Sequence, residues 1–157
     1  MEGLEKEKQE EKKVTEAKIF SVPFTLEEFK KDITITTNTP STEQIISKAI
    51  KLHLDGNIQK AAKYYQYLIN QGCNDHIVFS NYGVILKNLG KLQEAEISTR
   101  EAIELKPDFA DAHSNLGGIL RDLGKLDEAE FSTRKVIELK PDFAKGHSNL
   151  GGILRDL

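Results

Sequence analysis

The chain has 157 residues, 38% hydrophobic and 30% charged, with a formal net charge of −3, which suits one modest core plus a polar extension and excludes a second core. Its Lys and Arg are interleaved with Asp and Glu instead of clustered, so the electrostatic footprint of a nucleic-acid binder is missing. Apolar runs stay far short of the ~18 residues of a membrane span, Met1-Glu2-Gly3 opens a charged segment with no apolar signal core, and the lone Cys73 has no intrachain partner; no nucleic acid and no membrane partner is expected, and the expected compartment is the cytoplasm.

Residues 1–41 read as a charged extension. Residues 1–18 hold six Glu and five Lys against almost no apolar side chains, too little to offset the entropy of ordering, so this segment is expected to be largely disordered. Phe24, Thr25, Glu28 and Phe29 then spell a capping box with a hydrophobic staple, which predicts a short helix near 26–31. Ile33 to Thr36 alternates like a strand but has nothing to pair with, and reads as a connector. Phe20, Phe24, Leu26 and Phe29 suit either a docking peptide or a cap over the open apolar side of the unit at 42–75, and the cap is favoured because a stacked array needs its end covered.

Pro40 and Ser41 lead into a first unit, residues 42–75, with Gln44 placed to complete a second capping box. Residues 76–109 and 110–143 are near copies of one another at a period of 34, roughly two thirds identical, each ending in Lys-Pro-Asp-Phe. The unit at 42–75 is a diverged copy, with Ala49, Gly56, Ala61, Tyr65 and Leu68 in register, and 144–157 repeats only the first half. Leu116, Ile119, Leu120 and Leu123 follow one helical stripe and Ala129, Val136, Ile137 and Leu139 another, so each unit is a helical hairpin. Gly56, Gly90 and Gly124 fall where the first helix must end in a left-handed residue. Asp127 is expected to cap the second helix with Glu130 as its partner, and Pro107 and Pro141 to end it.

These units resemble the tetratricopeptide repeats, whose pattern runs W-x2-L-G-x2-Y, A-x3-F, P. His113, Leu116, Gly117, Leu120, Ala129, Thr133 and Pro141 stand at those positions in one unit, and Phe79, Tyr82, Gly83, Leu86, Ala95, Thr99 and Pro107 in the other. The first unit departs, with Lys48 for the Leu and Cys73 for the Pro. The resemblance implies an all-α fold, a right-handed helical-hairpin solenoid, with Gly83, Ala95, Gly117 and Ala129 at the crossing of paired helices.

It also implies a concave groove lined by first helices that holds a protein or peptide partner. Asn81, Asn115 and Asn149 form a column one period apart, with Ser47 at that position in the first unit. Each amide offers both donor and acceptor, as a peptide backbone does. This column is similar to the asparagine ladder in the repeats of O-linked N-acetylglucosamine transferase, as are the Ser-Asn-Leu-Gly and Lys-Pro-Asp-Phe signatures. Lys87, Arg121 and Arg155 make a basic row beside it, adjoined by Asn88, Asp122 and Asp156. The carboxylate clamp of chaperone-tail binders is a poor match: only Asn81 or Asn115 and, in one frame, Lys145 agree with it, while Ile46, Ile50, Ser80 and Val84 occupy the other clamp positions.

No catalytic constellation, cofactor motif or phosphate-cradling loop is legible, and the reading is of a non-catalytic interaction scaffold. The alternative is the substrate-presenting repeat region of a larger transferase, since repeat arrays of this kind resemble those preceding glycosyltransferase or sulfotransferase domains in bacterial proteins. His113 and His147 sit at the family's aromatic packing site, and Cys73 with His76 has ligand-like spacing but no second pair, so no metal is expected. Gly117-Gly118 and Gly151-Gly152 are expected as helix-crossing contacts. Leu150, Ile153, Leu154 and Leu157 present a face that a following helix would cover, leaving it for a second copy, another partner or further chain.

Overall fold

The computed structural model describes residues 40–157; the expected disorder of the extension, the helix near 26–31 and the connector at 33–36 lie outside the described residues. From there the chain runs through α1 (Thr42–Leu54), α2 (Ile58–Asn70), α3 (His76–Asn88), α4 (Leu92–Leu105), α5 (Ala110–Asp122), α6 (Leu126–Leu139) and α7 (Ala144–Asp156), with no strand among the described residues. Each helix packs on the next, and α1 with α3, α3 with α5, and α5 with α7 also touch. Direct contact between alternate helices is what stacked hairpins produce, and it puts α1, α3, α5 and α7 together in one layer of an α-solenoid.

The first helix of each hairpin ends as its glycine dictates. Gly90 has φ +76°, its N–H bonds the Lys87 carbonyl at 2.9 Å, and Lys91 N–H reaches back to the Leu86 carbonyl at 2.9 Å. That pattern closes a helix through a left-handed residue, where a side chain is strained. Gly72, with φ +77°, closes α2 the same way and replaces the proline missing from the first unit. Elsewhere proline acts as expected: Lys106, just before Pro107, is extended at φ −145° and ψ 90°, and α4 stops.

One capping expectation fails. The N-cap of α6 is Lys125, with no side-chain cap bond, so Asp127 lies inside the first turn. There its charge suits the positive end of the helix, while Glu130 accepts from Arg134 Nε at 2.7 Å instead of reaching back to the cap. A side-chain cap does form on α3, where Asp75 accepts from the N–H groups of Ile77 at 2.7 Å and Val78 at 3.2 Å.

Inside each hairpin the small residues fall at the crossing. Ala95, Gly83, Ala129 and Gly117 are buried, and a Cβ on Gly117 would sit 2.6 Å from Thr133 Oγ1. Between hairpins, His113 fills the site where the repeat pattern has a large aromatic, and Nε2 donates to the Pro107 carbonyl at 2.8 Å. His147 repeats the bond to Pro141. The histidine therefore fastens each Pro-Asp-Phe turn to the helix after it. His113→Phe keeps the volume and removes the bond, and is expected to cost about 1 kcal/mol in urea unfolding; no loss would show that the ring acts only by packing.

The face expected to be open at α7 is narrower than the sequence implies. Ile153 is only 1% exposed and packs with Leu116, Leu120 and Ala129. Leu150 is half-buried, and the exposed apolar groups are Leu154 at 47% and Leu157 at 58%. Ile153 turns toward the preceding hairpin because i and i+4 share a helix face with Asn149, not with Leu154.

Candidate functional site

Three successive first helices, α3, α5 and α7, enclose a groove of about 330 Å³. Lys87, Asn88, Asn115, Arg121, Asp122 and Asn149 line it, together with Val84, Ser114, Gly118, Lys145 and others. The structure thus brings most of the predicted site residues to one place, because a 34-residue period returns equivalent side chains to the same side of each stacked helix.

Asn81 and Arg155 are not among the lining residues. Asn81 lies instead beside the Tyr65 hydroxyl, a contact outside good hydrogen-bond geometry. Burial pushes that hydroxyl up to about 12, against a smaller opposing pull from the Asn81 amide. Arg155 is solvent-facing, its side chain 79% exposed and 3.8 Å from its neighbour Asp156. The column of three asparagines therefore contributes two members to the groove.

The basic row is paired across repeats. Lys87 Nζ lies 3.1 Å from Asp122 Oδ2, and Arg121 Nε donates to Asp156 Oδ2 at 2.7 Å. Asn115 Nδ2 donates to Ser80 Oγ at 3.1 Å. Each pair joins residues 35 apart, one more than the period, because a side chain on one first helix meets the next helix one position further along. Such pairs are half-exposed and each contributes roughly 0–1 kcal/mol, but they fix the positions of the groove walls.

Gly118 and Gly152 have a different use from the one expected. A Cβ on Gly118 would lie 3.1 Å from Lys87 Nζ, and one on Gly152 3.1 Å from an Arg121 guanidinium nitrogen. These glycines are slots through which the cation of the preceding repeat reaches its aspartate; Gly83 and Gly117 make the helix crossings, and Gly151 has nothing within 4 Å. Where the slot is filled, as by Val84, the residue one repeat earlier is His53, a shorter side chain.

On the outer side, Glu96 is held by Arg100 Nε at 3.0 Å and Nη2 at 2.9 Å and by Lys125 Nζ at 2.9 Å, and Arg100 also bonds Glu128. Burial alone would raise its carboxyl, but the hydrogen bonds and charges of Lys125 and Arg100 outweigh it and hold Glu96 below the usual glutamate range. This network crosses from one repeat to the next, and the repeat pattern gives no sign of it. His76 packs edge-on against Phe109 with ring centroids 4.8 Å apart, and burial, reinforced by Asp75, pushes the Cys73 thiol up. Among the described residues no three His, Cys, Asp or Glu group so as to hold a metal ion, and no helix is long and apolar enough to cross a membrane.

Fold and groove together define an α-solenoid built from stacked helical hairpins. Its residues 78–109 and 110–143 match models of the tetratricopeptide repeat, and the chain carries repeats of that kind. Similar solved structures include the first tetratricopeptide domain of Spaghetti (RPAP3) bound to the HSP90 peptide SRMEEVD, with 22% identity, TM-score 0.71, 78% of this chain and 97% of that one covered. The second such domain of human RPAP3 with the HSP70 peptide SGPTIEEVD gives 23%, 0.65, 69% and 91%. The Sgt2 domain from Aspergillus fumigatus gives 20%, 0.68, 76% and 81%. No curated protein matches the chain.

Proposed function

We propose that this protein is a non-catalytic interaction scaffold that holds an extended segment of a partner protein across α3, α5 and α7. The observation that carries the reading is the groove of about 330 Å³ whose walls are the polar side chains Asn88, Ser114, Asn115 and Asn149 set by the repeat. Asn115 spends one N–H on Ser80 and keeps a second N–H and its carbonyl for a backbone amide. Two neighbours of the same fold are solved with peptides in place, which supports a peptide ligand here without naming it. The site on this reading comprises Lys87, Asn88, Asn115, Arg121, Asp122 and Asn149, with Asn81 and Arg155 outside it. A scaffold of this kind suits the cytoplasm, and Leu154 and Leu157 offer a small apolar face for self-association.

Peptides selected on the full chain from a displayed library of random linear sequences should bind an Asn115→Ala/Asn149→Ala variant at least roughly tenfold more weakly, as expected when bonds to a bound backbone are removed, with unchanged helicity by circular dichroism. Equal affinity would remove the asparagines from the site. The rival role, presenting substrate to a transferase domain, rests on the repeat signatures alone, and the intact mass of the native protein in cell extract separates the two.

A further inference from the structure

No groove-lining residue comes from α4 or α6, yet these helices carry an apolar patch of their own, and we infer that it docks a basic amphipathic helix of a partner protein. Ala95, Ser98, Thr99 and Ala102 turn inward on α4, and Ala129, Ser132, Thr133 and Val136 on α6. That leaves Ile97 and Phe131, one period apart, on the outer side of the two helices. Phe131 is 74% exposed and Ile97 38%. Other phenylalanines are shielded: His76 packs edge-on against Phe109, and Lys140 lies over Phe143 at 5.8 Å. A single exposed apolar side chain is ordinary, but two at one repeat position on successive outer helices make a patch. Lys63 holds that position in α2, so on that side the patch stops at α4.

Charge around the patch selects its occupant. Helices α4 and α6 together carry eight carboxylates and three cations, whereas α3, α5 and α7 carry three carboxylates and four cations. The three cations are already paired: Arg100 with Glu96 and Glu128, Arg134 with Glu130, and Lys135 with Glu138. Asp127, one turn before Phe131, and Glu104, two turns beyond Ile97, have no ion pair among the described residues. The Arg100 bond to Glu128, 2.6 Å long, ties α4 to α6 and makes one surface of the two. Carboxylates thus stand before and after each apolar residue, and a helix with an apolar stripe flanked by Lys or Arg answers that pattern. A partner cation can also lie over the open Phe131 ring. An acidic partner meets like charge. So does a second copy of this chain, because a two-fold contact sets the same acidic helices against each other.

The test selects peptides from a displayed library of amphipathic helices on the full chain and depletes them on a Phe131→Ser/Ile97→Ser variant. Serine is close to Phe and Ile in helix propensity, so that variant should keep the parent's helicity and urea midpoint. Recovered peptides should carry an excess of Lys and Arg beside an apolar stripe. By fluorescence anisotropy, Phe131→Ser should weaken their binding at least roughly tenfold and Asp127→Lys/Glu104→Lys at least about fivefold, and added salt should weaken it further. Asn115→Ala/Asn149→Ala should leave it unchanged. Recovered peptides without a basic excess, or affinity unmoved by Asp127→Lys/Glu104→Lys, overturn the basic partner. Loss on Asn115→Ala/Asn149→Ala assigns the peptides to the groove and overturns the outer site. A dimer in sedimentation that dissociates on Phe131→Ser/Ile97→Ser makes a second copy the occupant, and a clearly lowered urea midpoint makes the two side chains packing elements; either result overturns the inference.

Discussion

Gly117→Leu should lower the urea midpoint sharply, by roughly 1–3 kcal/mol of stability and toward the upper end of that range. The helix gains from losing a glycine, by about 1 kcal/mol, so the sign depends on what the new side chain meets. It meets Thr133 Oγ1 at 2.6 Å from its first carbon and the Ala129 backbone oxygen at 3.5 Å. Thr133 is fully enclosed at this crossing, and the repeat-2 counterpart Thr99 is tied to the Ala95 carbonyl at 2.8 Å, so neither has room to swing aside. The opposite sign is expected at Gly151, the same repeat position with nothing within 4 Å: Gly151→Ala should stabilise by up to about 1 kcal/mol. Thr133→Ala added to Gly117→Ala should recover part of the loss. An unchanged midpoint for Gly117→Leu, or equal damage from alanine at 117 and 151, would falsify the crossing.

Glu96→Ala should be the most damaging loss of a charge. Its side chain is 11% exposed and it accepts four hydrogen bonds from two cations. Bonds to charged groups contribute up to about 1.5–3 kcal/mol each. Arg100 and Lys125 are nearly half-exposed and can return to water, so the total comes down to roughly 1–3 kcal/mol. The equivalent Glu130 pairs with Arg134 within its own helix and is more exposed, so Glu130→Ala should cost under about 1 kcal/mol. An acid dependence arises from the lowered carboxyl. The stability Glu96 contributes is present above the ordinary glutamate value of 4.5 and is lost as pH falls through the lower folded-state value. Glu96→Gln should therefore flatten the stability curve below about pH 4.5. Parallel curves for the two proteins would place the acid sensitivity elsewhere.

The repeat period, the glycine at each first-helix end and the prolines are readable in the sequence because each acts locally on the backbone. Contacts that cross between repeats are harder to read. Asp127 resembles a cap because Asp suits that role, yet Gly124 and Lys125 set where α6 begins, and propensity yields to the geometry of the turn. Ile153 belongs to the preceding hairpin's core, which only stacking reveals. Lys87 with Asp122, Arg121 with Asp156 and Asn115 with Ser80 share a spacing of 35, a signal present in the sequence but hidden by comparing residues one full period apart.

The paired glycine slot and reaching cation also limit how this array can grow. The α5–α6 hairpin, the third, carries both halves of the fitting, Gly118 to admit an arm and Arg121 to extend one, with Asp122 as the landing point. A tandem duplication of hairpin 3 would reproduce the joint at every new junction. A tandem duplication of the second, the α3–α4 hairpin, would set Lys87 against a second Val84 and Asn88, with no slot and no anion. The hairpins look interchangeable by sequence identity, but they are ordered parts, and of these two only the α5–α6 hairpin repeats the joint when duplicated.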